Sequence, residues 1–137
     1  MKRRAGLLAM FLVGCGSGGG SDNNPAPTTH LLDQSALRDI PTGQAVSVGP
    51  LTVPAGATMT YQIVDMPTGV GSDTMDTGIV TDATAQAANP TSFASETGVS
   101  STEETTPSLA AGTYDLLVTC HNPLDDCTFT DTVTAFY

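Results

Sequence analysis

The sequence predicts an all-β protein: a small antiparallel β-sandwich or jelly-roll-like domain behind a signal peptide and a flexible linker. Three observations carry that expectation. Apolar and polar residues alternate with period two in several stretches between residues 45 and 137, as half-buried strands do. Clusters of Gly, Pro, Asp and Asn separate those stretches, as turns do. Cys120 and Cys127 flank a short turn-prone segment between the two clearest alternating stretches. Short strands punctuated in this way bury one face each and need a second sheet to cover it.

Lys2, Arg3 and Arg4 open the chain with positive charge, and Ala5 to Val13 form an uncharged run of nine residues. A bilayer-spanning helix needs roughly 20 apolar residues, so this run has the length and flanks of a secretory signal. It leads into Leu12-Val13-Gly14-Cys15: a branched apolar residue, two smaller ones, then cysteine. These residues resemble the lipobox of bacterial lipoproteins. The resemblance implies removal of residues 1–14, a diacylglyceryl thioether and palmitate-type acylation on Cys15, and anchoring in a membrane. Long acyl chains contribute about 0.8 kcal/mol per buried CH₂, and two or three make a stable anchor. Gly16 and Ser17 follow the cysteine, which by the same resemblance points to the outer membrane of a Gram-negative envelope.

Cysteine arithmetic agrees. Three cysteines leave one over in an exported chain. With Cys15 acylated, Cys120 and Cys127 remain as a pair in a compartment where disulfides persist.

Residues 15–29 make a tether. Gly16 to Thr29 is rich in Gly and Ser and carries Pro25 and Pro27 near its end; a Gly-rich chain of this length spans ~20 Å. Residues 30–137 have the length of one domain. Once residues 1–14 are gone, Arg38 is the only Lys or Arg against 14 Asp and Glu. Such a surface repels nucleic acid and anionic headgroups and favours cationic ligands or basic partners. Lysine-based Schiff-base chemistry is excluded, and cationic phosphate clamps nearly so.

Within the domain, His30 to Ile40 is ambiguous. Leu32, Ala36 and Ile40 fall at four-residue spacing and allow a short helix, but the stretch is brief and poorly capped. Ala45 to Val53 alternates, and Gly49-Pro50 switches its phase, as a bulge or an edge strand would. Pro54-Ala55-Gly56 is a turn. Thr58 to Asp65 puts Met59, Tyr61 and Ile63 on one face. In residues 66–112 only Gly78 to Thr81 and the surroundings of Phe93 look strand-like. A structureless loop of that length is unusual, so short strands are expected there. Thr113 to Cys120 aligns Tyr114, Leu116, Val118 and Cys120. Cys127 to Tyr137 aligns Cys127, Phe129, Val133, Ala135 and Tyr137, with Asp131 interrupting the apolar face. The six residues HNPLDD between the cysteines read as the turn of a hairpin with a cross-strand disulfide at its mouth, worth about 2.5 kcal/mol in the chain-entropy model.

The stretches LTVPAGATMTYQIVD and LAAGTYDLLVT are similar to the strand-then-turn pattern of pre-peptidase C-terminal-type sandwiches. That resemblance implies an accessory module and brings no catalytic residue. Other motifs fall short of chemistry. Asp76-Thr77-Gly78 spells the DTG of aspartic proteases, but that reaction needs two carboxylates sharing a proton, and the flanking residues differ from the family. GTYDLLVTCHN resembles the last strands of cupredoxins, yet His121 adjoins Cys120 directly and no Met follows Met75. No G-x-S-x-G elbow is present. Met59, Met66 and Met75 read as core and loop filler.

Asp73, Asp76 and Asp82, or Asp125 with Asp126, are candidate oxygen ligands for calcium, though such residues in turns commonly bond their own backbone. The reading is therefore a lipid-anchored envelope protein with a binding or structural sandwich and no enzymatic activity. Its expected partners are the membrane, envelope proteins or a cationic ligand. No cofactor is expected beyond the lipid on Cys15, with Ca2+ as the candidate ion. The alternative is a cation- or carbohydrate-binding accessory lipoprotein of a larger envelope complex. The chain has no Trp, three Tyr and four Phe, which leaves a sugar little to stack on.

Overall fold

The computed structural model describes residues 24–69 and 72–137, so Leu12, Val13, Gly14 and Cys15 lie outside the described residues. The alternating stretches become strands of a two-layer sandwich. In chain order these are β1 (Thr29–Gln34), β2 (Arg38–Ile40), β3 (Ala45–Val53), β4 (Thr58–Asp65), β5 (Met75–Thr81), β6 (Ser92–Val99), β7 (Thr102–Thr105), β8 (Gly112–Cys120) and β9 (Cys127–Phe136). One sheet runs β1-β9-β4-β7, with β2 following β1 along the same flank of β9. The other runs β3-β8-β5-β6. From β2 onward the chain changes sheet at every connection except β5 to β6.

Period two explains the interior. Met59, Tyr61 and Ile63 of β4 face Leu116, Val118 and Cys120 of β8 and Met75 and Ile79 of β5 within one buried apolar cluster. Phe129, Val133 and Ala135 of β9 join them from the first sheet. One polar contact crosses this core: Tyr61 Oη lies 2.9 Å from Thr77 Oγ1. Burial raises the Tyr61 pKa, so the phenol stays neutral and the pair needs no counter-ion. Pro50 sits on β3, an edge strand, and the pairing of β3 with β8 shifts between Val48 and Leu51, as the phase switch predicts.

Three features differ from the sequence reading. The ambiguity of His30 to Ile40 is resolved against the short helix its spacing allowed: it holds two strands, both paired with β9. A register shift between Leu31 and Asp33 breaks the alternation there and hides the strand pattern. Tyr137 does not join the core; it is 39% exposed and its ring stacks on His30 with centroids 3.9 Å apart. The third difference changes the topology. Cys120 and Cys127 are disulfide-bonded and fully buried, but β8 and β9 are not hairpin partners. They belong to opposite sheets, so the bond pins one sheet to the other. The short strands expected within residues 66–112 are β5, β6 and β7.

Asp131, the interruption in the β9 apolar face, has a partner. Arg38 Nε donates to its Oδ1, Ser35 Oγ donates to the same oxygen at 2.6 Å, and Arg38 Nη2 also reaches Asp33 Oδ2 at 2.7 Å. Ser35 is tied twice more: its N–H donates to the Asp131 carbonyl at 3.1 Å, and its Oγ accepts the Asp131 N–H at 3.2 Å. Burial alone would raise the Asp131 pKa, but these hydrogen bonds outweigh it and hold the carboxyl below its ordinary value. The domain's one arginine is thus used to neutralise a carboxylate that is 1% exposed.

Two outcomes are expected. Arg38→Met strands the buried carboxylate and costs about 3 kcal/mol in urea denaturation, the lower end for a broken buried pair because Arg38 is partly exposed. The Arg38→Met/Asp131→Leu double variant recovers much of that loss. Gly49→Ala places a Cβ 1.9 Å from Asp115 Oδ1 and 3.0 Å from the Tyr114 carbonyl. Asp115 is buried and held by Ser47 Oγ at 2.7 Å, with little room to move. A loss of about 1–3 kcal/mol is expected; unchanged denaturation midpoints would contradict the packing described.

Candidate functional site: a divided cleft on the four-stranded sheet

The inner face of the β3-β8-β5-β6 sheet is core, so its outer face is where function has room. The outward positions are mostly small or polar, Ala45 and Ser47 on β3, Thr119 on β8, Asp76 and Gly78 on β5, Ser92 and Ser95 on β6, with Val80 and Leu117 the apolar exceptions. The connection from β5 to β6 starts with a 3-10 turn at Asp82–Thr84 and then lies back over this face. Its residues Ala85 to Pro90 are mostly small, which lets the backbone approach the sheet; Ala85 is buried there.

The result is one cleft divided in two. A cavity of about 330 Å³ lies toward β6, lined by Asp76, Gly78, Ser92, Ser95, Leu117 and Thr119 among others. A second of about 370 Å³ lies toward β3, lined by Ala45, Ser47, Gln86, Leu117 and Thr119 among others. Ala88, Pro90, Leu117 and Thr119 line both. Gly78 keeps the first cavity open: a Cβ there would come 3.1 Å from Ser92 Oγ and 3.2 Å from the Ala94 carbonyl. The walls supply hydroxyls, amides and carboxylates. No Lys, Arg or Cys lines either cavity.

Asp76 is the best-held polar group of the cleft. Its Oδ1 accepts the Gly98 N–H at 2.9 Å, and its Oδ2 lies 2.8 Å from His121 Nε2. The pair is solvent-accessible at 48% for His121 and 41% for Asp76. No hydroxyl is hydrogen-bonded to the His121 ring among the described residues, so the third member of a nucleophile–base–orienter set is missing. The two contacts fix the orientation of the Asp76 carboxylate.

The other carboxylates named as calcium candidates do not converge with it. Asp73 precedes β5 and Asp82 follows it, so the strand separates them by roughly 20 Å or more. Both Asp73 oxygens are used, by Asn122 Nδ2 at 3.0 Å and the Thr128 N–H at 2.7 Å. Asp125 accepts the Asp126 N–H at 3.2 Å, and Asp126 accepts the Thr42 N–H at 3.1 Å. Among the described residues no three His, Cys, Asp or Glu side chains form a metal-binding group. Sequence reasoning placed Asp76 among candidate ligands and missed the cleft itself. Its one visible signal was the small-residue run DATAQAANP beside a strand that carries Gly78.

No protein-family model and no curated protein matches the chain. Among solved structures, the chain is similar to a carbohydrate-binding module from Cellvibrio mixtus lichenase 5A, solved in complex with cellotriose. The two share 11% identity with a TM-score of 0.39, over 80% of this chain and 96% of that one.

Crowded carboxylates set the pH response. Burial raises Asp65, and the facing Asp73 carboxylate adds to it. Burial and the neighbouring Asp131 raise Asp33, and Glu104 is raised by partial desolvation and by Glu96 beside it. These groups hold protons in the folded state at pH values where the unfolded chain has lost them. Their stabilising contribution is present below the ordinary carboxylate range and is lost as pH rises through their raised folded values. Asp131 has the opposite sign: its contribution is present above its ordinary value and lost as pH falls through its lowered one. Thermal melting is therefore expected to show Tm rising on acidification from neutral, then falling once Asp131 protonates. A Tm that declines steadily from pH 7 downward would contradict this balance.

Proposed function

We propose that the chain is a lipid-anchored envelope protein whose sandwich is a binding module without chemistry of its own, with its ligand in the divided cleft. The cleft carries the reading. It offers a recessed polar surface on a paired sheet and an oriented Asp76, which suits recognition. The tether and Cys15 support an anchored position, and the disulfide between Cys120 and Cys127 fits an exported compartment.

The ligand suited to these walls is neutral or cationic and rich in hydroxyl or amine groups: a short oligosaccharide, with an amino sugar favoured at the Asp76 end. Carboxylates and hydroxyls line the cleft and no basic side chain does, so an acidic glycan meets like charge.

Two measurements test the reading. Intact mass of the protein recovered from its host membrane is expected to show residues 1–14 removed and an acylated Cys15. Calorimetric titration is expected to show binding of chitosan oligosaccharides that exceeds that of acidic ones. Thr119→Trp, which fills the wall common to both cavities, is expected to weaken binding at least about tenfold, or ~1.4 kcal/mol, with thermal melting little changed. Binding unaffected by Thr119→Trp would place the ligand elsewhere.

A further inference from the structure

The connection from β8 to β9, His121 to Asp126, lies at the end of the sandwich opposite the point where the chain enters. Entry is fixed by Thr28, whose N–H donates to the Tyr137 carbonyl at 2.8 Å and whose carbonyl accepts the Tyr137 N–H at 3.1 Å. At the far end Leu124 is 85% exposed, more than any other large apolar side chain among the described residues. Met66, on the adjoining β4–β5 connection, is also exposed. The two connections abut: a Cβ on Gly69 would fall 1.8 Å from Asp125 Oδ2.

A slack loop would lay its leucine back on the protein. This loop is held off. The disulfide clamps its base. Asn122, 8% exposed, donates from Nδ2 to Asp73 and accepts the Leu124 N–H on Oδ1 at 3.1 Å. Thr42 Oγ1 donates to the Asn122 carbonyl, and the Thr42 N–H reaches Asp126 Oδ1 at 3.1 Å. These bonds brace the loop that presents Leu124, beside Pro123, next to the carboxylates of Asp125 and Asp126.

We propose that this loop is a docking knob for a protein partner with an apolar pocket rimmed by Lys or Arg. A preorganised apolar anchor loses little freedom on binding, and the adjacent acids select a basic rim and speed its approach. Charge excludes a second copy as the occupant: two such tips meet as like charges, and the domain's one arginine is engaged with Asp131 and Asp33 at β9. His121 at the loop's base contacts Asp76 of the cleft, but the tip from Pro123 to Asp126 lines neither cavity, and the knob stands whether or not Cys15 is acylated.

The test places benzoylphenylalanine at Pro123 in the full chain, expressed in its own host, with photo-crosslinking followed by mass spectrometric mapping of the adduct. One protein other than the chain itself is expected, joined through a peptide that carries Lys or Arg around apolar residues. Adduct yield should fall about tenfold with Leu124→Ser, fall with Asp125→Asn/Asp126→Asn, and fall in about 0.5 M salt. Thr119→Trp should leave it intact, so failure of the cleft reading and failure of the knob are distinguishable. Both loop variants should melt as the parent does, since Leu124 packs on little. The absence of an adduct, adducts only to the chain itself, or yields unchanged by Leu124→Ser or by the double Asn variant overturn the proposal.

Discussion

A single covalent bond between the sheets organises this sandwich. β8 is flanked by β3 and β5 in one sheet, and β9 by β1, β2 and β4 in the other. The disulfide from Cys120 to Cys127 therefore joins the interior strands of both layers at one end of the core. Closing so short a loop is worth only about 2.5 kcal/mol by chain entropy, less than the burial of two large apolar side chains. Its larger effect is geometric. It fixes where the sheets meet, and so the base of the loop that carries Leu124. It also places His121, next in the chain, against Asp76 across the β5–β8 pairing, where Met75 lies opposite Cys120.

Charge is the second constraint. A domain with one arginine has few means to bury acid, and it uses that arginine at Asp131, under the turn between β1 and β2. The two short strands on that flank have few apolar side chains to hold them; Leu31 and Leu37 are exposed. The ion pair and the three hydrogen bonds between Ser35 and Asp131 hold the flank in their place. The remaining carboxylates must manage by spacing, backbone N–H groups or protonation. Asp73 takes the Thr128 N–H and Asp76 the Gly98 N–H, while Asp65 and Glu104 face other carboxylates and respond with raised pKa values. The acidic composition thus has a structural consequence: folded carboxylates sit in pairs.

How much of this was legible in the sequence depended on which physical rule was at work. Period two identified the inward residues of β4, β8 and β9, because a buried face repeats every second residue whatever the strand pairs with. For the same reason it was silent on pairing. The HNPLDD segment looks like a hairpin turn since hairpins and sheet-to-sheet crossovers both need turn residues between alternating strands. β1 and β2 escaped because a register shift and a three-residue length leave no period to read, and Leu32, Ala36 and Ile40 counterfeit a helical one. The Asp131 anomaly was visible but not its solution. Its partner lies 93 residues away, although a lone arginine in an acidic chain was a clue to which residue would answer it. The cleft was hidden because it is made of what is missing: no side chain on Gly78, and small ones at Ala85, Ala87 and Ala88.

The two outer faces show why the cleft formed on only one of them. On the β1-β9-β4-β7 sheet, Thr130, Thr132 and Thr134 of β9 stand beside Gln62 and Thr60 of β4, and Thr60 bonds Thr105 of β7. Threonine recurs at alternate outward positions of β9 and suits a strand, with Gln62 and Val64 of β4 beside it and Phe136 at the strand's end. On the other sheet, outward residues range from glycine to leucine, and the β5–β6 connection folds over the gap this leaves. Glycine beside larger side chains on a regular backbone makes a concavity, and the β5–β6 connection walls it.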